Sequence, residues 1–311
     1  MFCSTIIPTV GRATLSKAVS SVLAQACYQE DLEVIVVNDS GSRLPPSEWQ
    51  HVPKVQVIDT YRHERSVARN TGAALATGRY LHFLDDDDWL LPDAMSHLRR
   101  LSERSDASWL YGASRLVDRK GQTLITLPSV AEDDVFLKSM CGEWIPLQAS
   151  IVRADAFFAV GGFNTLINGP EDIDLLRRLA LTERVARTEE IVACISWGRE
   201  GSTTDWARHS QQSRWAKELI LQQAETFQRL RLLAQGPQWH GGLVRIYLAS
   251  AMWNLQHKRL FSALARAALA LRALLNAGAA TLFSREFYRS IFATYQGEAF
   301  LAGFREAADG A

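Results

Sequence analysis

The stretch Tyr80-Leu81-His82-Phe83-Leu84-Asp85-Asp86-Asp87-Asp88-Trp89 decides the fold. Its mostly apolar start predicts a buried strand over 80–84, and the carboxylate run that follows at once places a polar site at the strand's carboxyl end. In open α/β sheets ligands sit at such ends. Adjacent carboxylates repel one another, so a run kept together at a strand end points to a compensating cation. Oxygen-only donors favour Mg2+ or Mn2+, which bridge to substrate phosphates. A solvated acidic turn is the alternative meaning of such a run taken alone.

Working outward, Ser4–Pro8, Glu33–Val37 and Val55–Ile58 are further buried strands, and helical spacing over Leu15–Gln25 and Ser66–Ala76 separates them. This βα alternation predicts an α/β fold with a mostly parallel sheet flanked by helices, and Pro8-Thr9 and Asn38-Asp39 join the aspartates at strand ends. Beyond Pro92 the pattern predicts a helix to about Ser102, a strand near Trp109–Ala113 and a hairpin turn at Asp118-Arg119-Lys120-Gly121. Gln148–Val152 is a further strand, Gly161-Gly162 a turn, and Pro170–Leu181 a helix opening on Glu171-Asp172, whose charges suit a helix start. From about Ser210 the composition turns to Ala, Leu, Arg and Gln, which predicts helices broken at Gly236-Pro237 and Gly241-Gly242. Leu243–Leu255 and Phe261–Leu275 read as a helical pair joined at His257-Lys258-Arg259, similar to one tetratricopeptide-type unit. The expected division is an α/β domain over 1–205 and a helical subdomain over 206–311.

A chain of 311 residues with 47% hydrophobic and 22% charged residues is a folded protein, too large and too apolar for a stapled or disordered class. The 34 basic and 34 acidic residues cancel, which removes the global basic field of a nucleic-acid binder. The balance hides an asymmetry: 207–311 hold 13 Lys or Arg against 6 Asp or Glu, net +7, and 1–206 hold 21 against 28, net −7. A basic C-terminal part predicts an anionic surface as partner, with peripheral membrane association among the readings. Cys3, Cys27, Cys141 and Cys194 form no CxxC pair, and neither a signal peptide nor an apolar run long enough to span a membrane is visible. A cytoplasmic protein, at most peripheral at the inner face of a membrane, is the expectation. The histidines show no paired ligand spacing, and His82 is read as structural.

Taken together, Ile6-Ile7-Pro8-Thr9 with Arg12, Val36-Val37-Asn38-Asp39-Ser40-Gly41-Ser42, Ala68-Arg69-Asn70, Gly78-Arg79-Tyr80, the aspartate run, Gly161-Gly162-Phe163 and Glu171-Asp172-Ile173-Asp174 resemble, in order over roughly 3–205, the family 2 glycosyltransferases. The resemblance implies a GT-A fold and metal-dependent, inverting transfer of a sugar from a nucleoside diphosphate donor, a UDP-sugar, to a hydroxyl of a glycan or glycolipid. It implies cell-surface polysaccharide biosynthesis as the setting. It implies nucleotide binding by Pro8, Thr9, Arg12, Asp39, Arg69, Asp85 and Asp86. Asp39 would accept the ring N–H of a uracil, Arg69 would reach the phosphates and Asp86 would lie towards the ribose. The family's D-x-D element fits both Asp85 with Asp87 and Asp86 with Asp88; the first pair is favoured as holding Mn2+ or Mg2+. Asp172 matches the base that takes the acceptor's proton, with Glu171 orienting it.

The chain also departs from the family. Val10 and Gly11 stand where an aromatic residue and Asn are frequent, which predicts a weaker hold on the base. Arg199 is the nearest cation where many members carry His, and a guanidinium could hold diphosphate oxygens but ligate no metal. Trp144 and Trp197 are the candidates for stacking on an acceptor sugar. Two rival readings remain: nucleotidyl transfer, for which Pro8-Thr9-Val10-Gly11-Arg12 makes a poor phosphate loop, and a sugar-nucleotide-binding scaffold without turnover.

Overall fold

The computed structural model describes residues 1–129, 135–197 and 206–293. Chain contacts divide it into two units: Met1–Glu132 with Ile145–Leu179 and Glu183–Thr204, and Asp133–Trp144 with Ala180–Thr182 and Asp205–Ala311.

The first unit is built on strands β1 (Cys3–Thr9), β2 (Leu32–Asn38), β3 (Val55–Asp59), β4 (Tyr80–Phe83), β5 (Trp89–Leu90), β6 (Trp109–Val117), β7 (Thr123–Leu127), β8 (Ser150–Arg153) and β9 (Val185–Ser196). They form one sheet in the order β3-β2-β1-β4-β8-β6-β9-β5, with β7 on β6. The first four strands pair in parallel. The parallel character expected of the sheet ends there: β8 runs antiparallel to β4 and β6, β9 is parallel to β6, and β5 and β7 are antiparallel additions. Every residue of β1 and β2 is buried, as a strand covered on both faces requires.

Helices α1 (Leu15–Leu23), α2 (Tyr28–Asp31), α3 (Arg65–Leu75) and α4 (Ala94–Arg104) link the early strands. Helix α3 lies on β1 and β2, and α4 on β6 and β9. The core between sheet and helices gathers Ile7, Val19, Val22, Val34, Val36, Leu84, Met95 and Ile151. Helix α5 (Val135–Cys141) falls in the second unit; α6 (Ala154–Ala159) returns to the first, and α7 (Glu171–Thr182) starts at the expected acidic pair.

His82 lies on the buried centre of β4, with Thr5 Oγ1 at 3.2 Å and the Gln148 carbonyl at 3.0 Å from its ring nitrogens. Burial lowers its pKa to about 4, a shift that the Gln148 carbonyl opposes. The folded state therefore favours the neutral ring, and its stability is complete above the unfolded value near 6.5. It falls as pH drops from there to about 4, in total by about 3 kcal/mol. Melting temperatures of the protein and of His82→Gln between pH 7 and pH 4 check this. An equally steep decline in the variant would remove the ring as the cause.

The second unit contains α5, α8 (Trp206–Leu221), α9 (Ala224–Leu232), α10 (Pro237–Gln256), α11 (Leu260–Leu275), α12 (Gly278–Leu282) and α13 (Arg285–Phe292). Gly236 and Pro237 open α10 as a breaker followed by a first-turn proline. Gly241 and Gly242, in contrast, do not interrupt it. A Cβ on Gly241 would stand 2.0 Å from Ser290 Oγ and 2.5 Å from the Phe287 carbonyl, and one on Gly242 2.9 Å from Leu137 Cδ1. These glycines let α13 and α5 approach the α10 backbone. That packing outweighs the cost of about 1 kcal/mol for each helical glycine. Helices α10 and α11 fold back on one another through His257-Lys258-Arg259, where Lys258 takes a left-handed φ of 59°.

Candidate active site

The ends of β1, β2 and β4 come together, and the hydrogen bonds set Asp86 apart from the other aspartates. Thr9, at the end of β1, donates its hydroxyl to Asp86 Oδ2 at 2.5 Å, and Arg12 donates to Asp86 Oδ1 at 2.5 Å. Asp86 is buried, and both of its oxygens are thereby used within the chain. Thr9, Arg12 and Asp86 form one unit, with Pro8 inside β1 beside Val37.

Asp85, Asp87 and Asp88 are the carboxylates that come together, with one oxygen from each inside a 4.8 Å sphere of mutual distances. The favoured pair is therefore present with Asp88 as a third member. Asp88 is buried and accepts the Ser196 N–H at 2.7 Å, while the Ser196 hydroxyl donates to the Asp87 carbonyl at 2.5 Å. Burial, then the charges of Asp85 and Asp87, push the Asp88 carboxyl well above its usual range. Asp85 differs: burial raises its pKa, but the Arg69 and Arg65 guanidiniums bring it below its ordinary value.

Arg69, buried on α3, is shared between two sites. Its Nη2 donates to Asp85 Oδ1 at 2.6 Å and its Nη1 to Glu171 Oε1 at 2.9 Å. Both terminal nitrogens thus bridge the aspartate run to the start of α7. Glu171 is buried, also accepts the Gly169 N–H at 3.0 Å and has Arg65 at 3.4 Å. Burial raises its pKa against the pull of Arg69 and Arg65. Asp172, next along, is half-buried, and its Oδ1 accepts the Ile173 N–H at 2.7 Å. Asp174 is paired with Arg178 at 2.8 Å. Asn70 fixes the neighbouring turn by exchanging two hydrogen bonds with the backbone of Phe163, at 2.8 and 2.9 Å.

Asp39 is buried at the end of β2 and caps the loop that precedes α3. Its oxygens accept the Thr60 hydroxyl at 2.7 Å and the N–H groups of Arg62 and Glu64, each at 2.5 Å. Burial raises its pKa, but these donors and the His63 N–H outweigh it and leave the carboxyl below its ordinary value. A carboxylate has about four acceptor positions, so Asp39 is nearly filled by its own chain.

Gln148 was not singled out in the sequence. It donates to Asp85 Oδ2 at 3.1 Å and offers its carbonyl to His82, which ties the site to β4. Its place at the start of the expected strand over Gln148–Val152 was the only signal it carried, and Ser196 had none. Trp197 is 37% exposed, and its backbone N–H donates to the Val117 carbonyl at 2.8 Å. Trp144 belongs to the second unit. Arg199 lies outside the described residues.

Sequence comparison finds relatives over part of the chain. An uncharacterized glycosyltransferase of Haemophilus influenzae is 26% identical over 57% of this chain and 61% of its own length. The GalNAc(5)-diNAcBac-PP-undecaprenol beta-1,3-glucosyltransferase of Campylobacter jejuni is 32% identical over 38% of this chain and 39% of its own. The chain thus spans less than two thirds of either relative. Among solved structures, S. aureus TarS 1–349 in complex with UDP-GlcNAc superimposes with a TM-score of 0.62 at 14% identity, covering 89% of this chain and 92% of that one. That likeness is one of fold. The sequence profile described as Glycosyl transferase family 2 matches residues 4–128, the segment that carries β1 to β7 and the aspartate run, and over that segment the chain is similar to glycosyl transferase family 2.

Proposed function

We propose that the chain transfers a sugar from a nucleoside diphosphate donor, a UDP-sugar, to a hydroxyl of a glycan or glycolipid acceptor, with inversion at the anomeric carbon and with a divalent cation. The observation that carries this reading is the carboxylate cluster of Asp85, Asp87 and Asp88 joined through Arg69 to the acidic start of α7. The donor set fits Mg2+ or Mn2+: it is all oxygen, and in Asp88 it keeps a carboxyl whose charge the chain's own cations leave poorly compensated. Bound there, the cation would supply Lewis-acid neutralisation of the departing diphosphate.

The chain's own residues would do the rest. Asp172 accepts the acceptor hydroxyl's proton as that oxygen attacks the anomeric carbon and the bond to the diphosphate breaks. Arg69 and Glu171 hold Asp85 and the start of α7 in register. With both terminal nitrogens so engaged, Arg69 acts on the phosphates through Asp85 rather than by direct contact. Thr9 and Arg12 keep Asp86 turned to the nucleotide side, and Asp39 shapes the base pocket by ordering 60–64. The uridine and the lipid-linked glycan are suggested by TarS, crystallised with UDP-GlcNAc, and by the Campylobacter enzyme, named for a glycan on undecaprenol diphosphate.

A panel of labelled nucleotide sugars, incubated with Mn2+ and then with a chelator, tests the reading. UDP should be released with Mn2+ and release should stop with the chelator. Metal-independent UDP release would overturn the cation's role. Pyrophosphate release would replace the reading with nucleotidyl transfer, and donor binding without product would leave a scaffold.

A further inference from the structure

Helix α11 is amphipathic in the inverse sense. Its buried stripe, Ala263, Ala270 and Ala273, is made of small residues, whereas Phe261, Leu264, Leu271 and Leu275 lie on the exposed side at 91%, 69%, 55% and 72% exposure. Their spacing places them along one side of the helix. Its partner α10 adds Leu248, Met252 and Leu255, again spaced by three and four and all exposed. Exposed apolar rows of this kind, one on each of two packed helices, mark a docking face rather than the scattered exposure found on any protein.

The charges select the occupant. Residues 226–285 contain eight Lys or Arg and no Asp or Glu. Lys258, Arg259, Arg272 and Arg285 are exposed on or beside the same helices. A second copy of the chain would bring like charges against like, which disfavours a self-associated face. An anionic lipid surface satisfies both features, since acyl chains accept the leucines and phenylalanine while headgroups pair with the cations. No helix among the described residues is long and apolar enough to cross a membrane, so the pair would lie along the interface.

We infer that the exposed face of α10 and α11 binds an anionic membrane surface. This rests on the second unit alone and does not depend on the transferase reading. The test is co-sedimentation of the full chain with vesicles of phosphatidylcholine and phosphatidylglycerol in equal parts, against vesicles of phosphatidylcholine alone. Binding should require the anionic lipid and weaken with added salt. Each interfacial cation contributes about fivefold to such binding, so Lys258→Gln with Arg259→Gln should weaken it about twenty-five-fold. Phe261→Ser should weaken it on the order of tenfold through lost apolar burial, and at this exposure the fold should persist by circular dichroism. Equal binding to both vesicle types, no binding to either, or binding indifferent to these substitutions would overturn the inference. So would self-association in the absence of vesicles that Phe261→Ser abolishes, which would assign the face to a second copy.

Discussion

Asp172→Asn should lower sugar transfer by about a hundred- to ten-thousand-fold while leaving donor and cation affinity nearly unchanged. The amide keeps the side chain's size, and its oxygen can still accept the Ile173 N–H, so the start of α7 is preserved. What it loses is the capacity to take a proton at neutral pH. Its neighbours are less accessible to an acceptor: Glu171 is buried against Arg69 and Arg65, and Asp174 is buried and paired with Arg178. Asp87→Asn should behave differently and weaken cation-dependent donor binding together with turnover, because it removes charge from the cluster. Single-turnover rates and donor calorimetry with Mn2+ separate the two. Near-normal transfer by Asp172→Asn would eliminate it as the base.

The parts of this fold legible in the sequence are those whose cause is local. Strands β1, β2 and β4 are short apolar runs buried on both faces, and α3 carries helical spacing, so the βα order over the first hundred residues could be read directly. Strand β9 could not: Val185–Ser196 begins Val-Ala-Arg-Thr-Glu-Glu, and its strand state comes from pairing with β6, some seventy residues earlier. The two-residue β5 exists only because β9 does. Gly241-Gly242 reads as a break when taken alone and becomes a packing surface once α5 and α13 lie against it.

The same division holds in the site. The residue types at the strand ends were legible, because polar residues there have few local reasons to cluster. Which aspartate meets which partner was not. Asp86 leaves the carboxylate cluster because Thr9 and Arg12, more than seventy residues away, reach it, and Asp88 joins because the end of β9 holds it inward. Arg69 was read as a ligand-facing cation, yet a buried guanidinium between two carboxylates has its strongest partners inside the protein. Asp39 is likewise filled from within the chain, by donors of the 60–64 loop more than twenty residues on, for which nothing local in the sequence gave a signal.

Arg69→Met should destabilise the cation-free protein by about 3–5 kcal/mol, because it strands the buried Glu171 charge and removes the main compensation of Asp85. At roughly 2–4 °C per kcal/mol for a domain of this size, the melting temperature should fall by about ten degrees. Arg69→Lys should recover only part of this, since a point charge cannot fork to both carboxylates. Asp88→Asn should do the opposite in the same cation-free buffer, with little loss or a small gain. Its folded state already disfavours the charged form, and the amide oxygen can keep the Ser196 N–H. Added Mn2+ then reverses the ranking: it should restore part of the stability of Arg69→Met, by placing positive charge beside Asp85, and should stabilise Asp88→Asn less than the parent protein. Calorimetric melts of the variants with chelator and with Mn2+ supply the comparison. If the two substitutions cost the same without the cation, the contrast between a compensated Asp85 and an uncompensated Asp88 is wrong, and with it the physical reason for a cation at this strand end.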